Sequence, residues 1–142
     1  MTNHQHLVKE IDEPCQRLCE RNSLLEKAIE YMSDGLFLID RNGHIIVHNR
    51  RVRDLLELPE RFLATQPHVD AVYALQCEAG EFSRTDPSLL GEIAANALTP
   101  DANRYIRERP NGVVLEVLTA PTPSGGFVRT FRDISDQYRA SE

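Results

Sequence analysis

The order of strand-like and helix-like segments in this chain predicts an α+β fold built on a single antiparallel sheet. Two β-rich runs, Leu36–Asp40 and His44–His48, flank Arg41-Asn42-Gly43, where Asn-Gly supplies the positive φ angles of a tight hairpin. Three more, Arg104–Arg109, Val113–Ala120 and Phe127–Asp133, are separated by the turn signals Asn111-Gly112 and Ser124-Gly125-Gly126 and read as a meander. The segments between the two groups are helical, and no βαβ alternation asks for a parallel sheet.

The first thirty-odd residues obey a helical period. Val8, Ile11, Cys15, Leu18, Asn22, Leu25, Ile29 and Met32 fall alternately three and four apart, as the a and d positions of a heptad seam. Branched or small residues at a, leucine at d and one asparagine at a favour two parallel strands, because paired asparagines satisfy each other across a two-fold axis. Ile11, Cys15, Leu18, Asn22, Leu25, Ile29 and Met32 are therefore the expected interface of a homodimer. The same stripe also suits an amphipathic helix packed on the domain's own sheet, and the two roles can divide the helix between them. Pro14 fits the first turn of a helix, which places the helix start near residue 13.

After the first hairpin, Asn49 stands where its side chain can cap a helix over Arg50–Leu58, which Pro59 ends. His68–Ala79 carries Val69, Val72, Tyr73 and Leu75 at helical spacing before Gly80. Asp86 can cap a further helix, Asp86–Leu98, with Pro87 in its first position and Leu89, Leu90, Ile93, Ala94 and Ala97 on one side. The expected organisation is a helical segment 1–33, a domain 34–135, and the start of a C-terminal helix at 136–142.

A chain of 142 residues is long enough to bury one core. With 41% hydrophobic and 27% charged residues it is globular in composition. A net charge of −6 argues against a nucleic-acid surface, and the cluster Arg50, Arg51 and Arg53 reads as a solvated helix face. No apolar run is long enough to span a membrane, and the polar N-terminus is unlike a signal peptide, so a cytoplasmic site is expected. Cys15, Cys19 and Cys77 do not make a disulfide framework and read as reduced thiols.

The residues that carry chemistry do not assemble into a catalytic or metal site. His44 and His48 are four strand residues, about 13 Å, apart, beyond the reach of one ion. His4 and His6 fall in the terminal segment. Cys15 and Cys19 are one helical turn apart but lack a second ligand pair, and suit the apolar seam. Glu78 and Glu81 are close in sequence, but Gly80 separates them and nothing basic converges on them, and no phosphate-binding glycine loop or nucleophile elbow occurs. Strand alternation turns Phe37, Ile39, Ile46, Leu115, Val117 and Val128 inward, with Tyr73 and Leu90 from the helices. These line a ligand cavity or simply pack as core. A small enzyme would need a buried acid or histidine among them, and they include none.

From about Tyr31 to Ser135 the chain resembles a PAS domain. The resemblance rests on Asp34-Gly35, Asp40-Arg41-Asn42-Gly43 and Asn49, on Arg107-Glu108-Arg109-Pro110-Asn111-Gly112-Val113-Val114-Leu115-Glu116-Val117, and on the closing Arg132-Asp133-Ile134-Ser135. The second of these is similar to the paired strands of a subgroup common in sensor histidine kinases. The resemblance implies a five-stranded antiparallel sheet with short helices on one face, preceded by a long amphipathic helix. It also implies a cavity that in some members holds a small molecule. The function implied is a sensory and dimerisation module of a bacterial two-component or related signalling protein, passing packing changes to flanking helices and an output domain such as a histidine kinase or cyclase outside this chain.

In such domains an Asp-Ile-Thr-type motif couples the last strand to the output helix. Asp133, Ile134 and Ser135 occupy that position; Ser135 keeps a hydroxyl able to cap the helix, and an arginine such as Arg132 of a neighbouring chain or Arg53 is the expected partner of Asp133. Haem-binding members use a histidine late in the helical middle, where this chain has only the early His68. Flavin photoreceptors use a cysteine motif that Leu75-Gln76-Cys77-Glu78-Ala79 does not match, and burial of a small thiol is the simpler role for Cys77. The cofactor is therefore unknown, with haem and flavin unsupported. A pure interaction module with a filled core is the alternative.

Overall fold

The computed structural model describes residues 2–96 and 103–140, with side chains described from Pro14 onward except at 95 and 96. Helix α1 (Thr2–Glu30) leads into strands β1 (Gly35–Ile39) and β2 (Ile45–His48). Helices α2 (Arg50–Leu56), α3 (Glu60–Leu63), α4 (Val69–Glu78) and α5 (Pro87–Asn96) follow. Strands β3 (Asn103–Glu108), β4 (Val114–Pro121) and β5 (Phe127–Asp133) then lead to helix α6 (Ser135–Ala140).

All five strands form one antiparallel sheet in the order β2-β1-β5-β4-β3. The two halves of the chain meet where β1 pairs with β5, with Gly35 opposite Phe131 and Ile39 opposite Phe127. Gly126 makes that junction possible: a Cβ there would collide with the carbonyl oxygen of Ile39, a backbone atom that cannot step aside. Alternation then sends Phe37, Ile39, Leu115, Val117, Phe127 and Phe131 to the face covered by helices. There they pack with Ile45, Val52, Leu56, Leu63 and Val72, and Phe37 meets Phe131 edge to face at 5.4 Å. Each of these fully buried side chains contributes about 1.5–3 kcal/mol of apolar transfer.

The first connection is built differently from the tight hairpin expected. Gly43 alone takes positive φ (86°), and the Asp40 carboxylate accepts from the amides of Asn42 and His44. The pairing of β1 with β2 then slips between Leu38 and Ile39. That slip reverses the parity assumed for β2. Ile45, opposite Ile39, is fully buried, while Ile46 is 40% exposed and is not a cavity residue.

Val128 is likewise corrected: it pairs with Leu38 and Ala120, whereas its neighbours Phe127 and Arg129 turn to the helix side. Helix α2 stops at Leu56 because Glu57 turns left-handed (φ 54°), and Pro59 then opens α3, an element not foreseen. Helix α1 starts well before residue 13 and contains Pro14. A proline inside a helix loses one hydrogen-bond donor but does not forbid residues before it from being helical.

Candidate functional site

A cavity of about 110 Å³ lies between the sheet and helices α4 and α5. Phe37, Ile45, Leu56, Val69, Val72 and Phe131 supply its apolar floor and side. Phe82, Leu89 and Ile93 close it from the helical side. Its polar wall comes from β3 and β5, where Asn103, Tyr105, Arg107 and Arg129 share the inward parity. Of the eight expected lining residues, Phe37 and Tyr73 reach this wall. Ile39, Leu115 and Val117 are fully buried in the solid core beside it, and Leu90 yields its place to Leu89.

Through Arg107 the polar wall joins a buried charged cluster, beside the cavity, that sequence reasoning missed. Glu81, just after α4, is buried and ion-paired to Arg107 at 2.8 Å and to Arg109 through both carboxylate oxygens at 2.8 and 2.9 Å. Arg109 also reaches the exposed Glu57 at 3.1 Å. Burial pushes the Glu81 carboxyl up, but the hydrogen bonds and charges of Arg109 and Arg107 outweigh it and hold the group below the usual glutamate range. Basic groups therefore do converge on Glu81, contrary to the expectation from its neighbours in the chain. The partners lie 26 and 28 residues away. One signal was legible: arginines at alternate positions of a strand, on its inward side, demand a buried acid. Glu81 does not have the raised pKa of a buried general acid.

The Arg107 guanidinium stacks 4.9 Å over Phe82. Burial raises the Tyr105 phenol, although Arg129 and Arg107 both pull it down. Burial also pulls Arg129 below the ordinary arginine value against the opposing effect of Tyr105. Arg129 donates to the Thr119 hydroxyl at 3.1 Å and lies 5.0 Å over Phe127.

Two hydrogen-bonded junctions tie the flanking helices to this sheet. At the entry, the fully buried Asn49 caps α2 by accepting from Val52, and its Oδ1 accepts from Leu36 as well. Its Nδ2 donates to the carbonyls of Ile29 and Asp34, both at 2.9 Å. Arg53 reinforces the joint through Glu30 at 2.6 Å and His48 at 3.0 Å, so it is not part of a solvated face. The His48 imidazole is lowered by burial and by the Arg53 charge.

At the exit, the Ser135 hydroxyl donates to Asp133 at 2.6 Å and accepts from the Val114 amide at 2.9 Å, joining the start of β4 to the start of α6. Asp133, rather than Ser135, accepts the first free amide of α6. Burial raises the Asp133 carboxyl, but the Ser135 hydroxyl and amide, with Arg51 and Arg139 nearby, bring it below its ordinary value. The arginines expected beside it are engaged elsewhere, Arg53 with Glu30 and Arg132 with Asp34 of the same chain.

On α1, Leu18, Leu24 and Leu25 are 59%, 68% and 55% exposed; Cys15 and Asn22 are exposed too, Met32 is at the margin and Ile29 is half-buried against the domain. The Ile11 side chain, with Val8, His4 and His6, lies outside the described residues, as do Ala97 and Leu98 of the predicted fifth helix. Cys77 is exposed rather than buried. Among the described residues no cluster of His, Cys, Asp and Glu has metal-binding geometry, and no helix is long and apolar enough to cross a membrane.

Comparison with known proteins agrees with this architecture. No curated protein matches the chain. The PAS domain of an HTR-like protein from Haloarcula marismortui is 20% identical with a TM-score of 0.54, covering 87% of this chain and 99% of that one. The PAS domain of Bordetella pertussis BvgS is 13% identical with a TM-score of 0.55, covering 86% and 94%. A domain of a sensory box sensor histidine kinase/response regulator from Geobacter sulfurreducens is 21% identical with a TM-score of 0.48, covering 82% and 96%. The model of the PAS fold matches residues 29–142, taking in both junctions, the cavity and every strand, and the chain belongs to that family.

Proposed function

We propose that this chain is the sensory and dimerisation module of a bacterial signal-transduction protein. Its domain, 34–135, holds a small ligand or responds to a partner, and relays the change in packing through α1 and α6 to an output domain. The reading rests above all on one observation: an internal cavity shares β5 with the Asp133–Ser135 junction. Phe131 sits on the cavity wall and Asp133, two residues on, holds the first turn of α6. A shift of β5 therefore moves the hydrogen bonds that start the outgoing helix.

Membership of a family typified by sensory modules supports the reading, as does the exposed leucine row of α1, which offers a surface for a second copy. A histidine kinase or cyclase is the class of output domain that suits such a relay, a cytoplasmic site suits its thiols, and no catalytic role is assigned to the module itself.

The relay is tested by hydrogen exchange on the full chain carrying Phe131→Leu. Protection at the Ile134 and Tyr138 amides, which hold Val114 and start α6, should change more than at the remote Gly43 amide. Equal changes at all three sites, or none, would show that the cavity wall and the outgoing helix are not coupled.

A further inference from the structure

The cavity contains two buried polar atoms that no group among the described residues satisfies: Nε of Arg107, a donor, and Oδ1 of Asn103, an acceptor. Both residues line the same space from the inward side of β3, four positions apart, with Tyr105 between them. A buried polar atom without a partner costs about 1–3 kcal/mol, more for a charged group, so each marks a place where a ligand atom is worth binding. Arg107 is itself 4% exposed, and its single carboxylate contact, Nη1 to Glu81, leaves the Nε–H facing elsewhere. Arg109 takes both oxygens of that same carboxylate, so Arg107 has the weaker share of it. Arg129 adds a second guanidinium to the wall. Among the described residues the only acidic side chain on the lining is Glu92, which is exposed.

Resting on the reading of the cavity as a ligand site, the geometry points to a small organic monocarboxylate as its ligand. The carboxylate takes the Nε–H of Arg107, an apolar or aromatic body fills the space between Phe37, Val72, Phe82 and Ile93, and a hydroxyl or amine at the far end donates to Oδ1 of Asn103. Arginine is the residue suited to this task, since its fixed fork recognises a carboxylate in plane and stays charged when buried. The volume sets the size: about 110 Å³ is smaller than an engineered apolar cavity of roughly 150 Å³ that accepts benzene. A single ring carrying one acid and one hydroxyl exceeds it modestly and enters as α4 and α5 draw back from the sheet. A fatty acid or a nucleotide is too large.

The test is a binding titration of the full chain, by calorimetry and amide NMR, with 4-hydroxybenzoate, its primary amide 4-hydroxybenzamide, benzoate and benzene, each up to its solubility. The acid is expected to bind at least tenfold more tightly than the amide, and Arg107→Met to abolish that preference. Because Arg107 also belongs to the buried ion cluster, Asn103→Leu provides a variant that breaks no side-chain hydrogen bond among the described residues: it should fold as well as the parent and prefer benzoate to 4-hydroxybenzoate. Equal binding of acid and amide, or binding of benzene alone, would overturn the assignment of an anion while leaving the cavity as a ligand site. Failure of all four to perturb any lining residue would overturn both.

Discussion

Replacing the buried Asn49 by alanine should loosen the joint between the incoming helix and the domain. The side chain makes four hydrogen bonds: to the amides of Leu36 and Val52, and from Nδ2 to the carbonyls of Ile29 and Asp34. Each is worth about 0.5–1.5 kcal/mol net, so their joint loss comes to about 4 kcal/mol. The cap on Val52 alone accounts for about 1 kcal/mol of that. Against a total of about 5–15 kcal/mol for a domain, the loss is large enough to read in urea unfolding as a fall in midpoint with an unchanged slope. Asn49→Ser separates the contributions, because a serine at the cap position still reaches the amide of Val52 but not the carbonyls of Ile29 and Asp34. It should recover about 1 kcal/mol. Asn49→Asp keeps both acceptor contacts and turns a carboxylate oxygen toward two carbonyls. Its folded-state pKa is then raised, so this variant should regain stability as pH falls through that raised value and lose it again as pH rises. A loss below about 1 kcal/mol for Asn49→Ala would refute the reasoning, since only the cap would then be contributing.

Removing Glu81 as Glu81→Ala strands Arg107 in the core and should cost about 3–5 kcal/mol, checked by chemical denaturation. Because the Glu81 carboxyl is held below its ordinary value in the folded state, its contribution is complete above the unfolded glutamate pKa of about 4.3 and fades as pH falls through the lower folded value. Between pH 6 and pH 3 the fall in Tm should therefore be larger for the parent than for Glu81→Gln. Gly126→Ala forces a Cβ against the Ile39 carbonyl and should part β1 from β5, seen as loss of amide protection at Phe37 and Ile39. Changing Leu18 and Leu25 together to glutamate should turn a sedimenting dimer into a monomer without altering the melt of the domain; an unchanged mass would remove α1 from the interface.

The fold was largely legible because its punctuation is local. Asn49 announced a helix start by its residue type, and Gly112 and Gly125 mark turns that need positive φ, as the structure shows (90° and 94°). The five strands followed from runs of β-branched and aromatic residues bounded by those turns, whereas their order in the sheet, with β1 beside β5, is set by long-range pairing. What escaped was non-local. Whether Ile45 or Ile46 faces inward depends on a one-residue slip between β1 and β2, and a pattern with apolar residues at both positions cannot report a slip. The partners of Glu81 lie on β3 and just past its end, more than twenty residues later, so nothing beside it in the chain foretold them. The cavity wall was misjudged for the same reason: Leu89 and Leu90 are adjacent on α5, and only the tilt of the helix against the sheet decides which of them reaches it. Asn49 was recognised as a cap, but its reach to Ile29 and Asp34, which makes it a joint, depends on where α1 ends.

The most direct test of the account is a high-resolution crystal structure of the full chain as purified from cells, read at two atoms. Nε of Arg107 and Oδ1 of Asn103 should each be met by non-protein density, a bound molecule or ordered water, inside an open space between β3, α4 and α5. Helices α4 and α5 collapsed onto the sheet, with both atoms satisfied by protein groups and no space left between them, would contradict it.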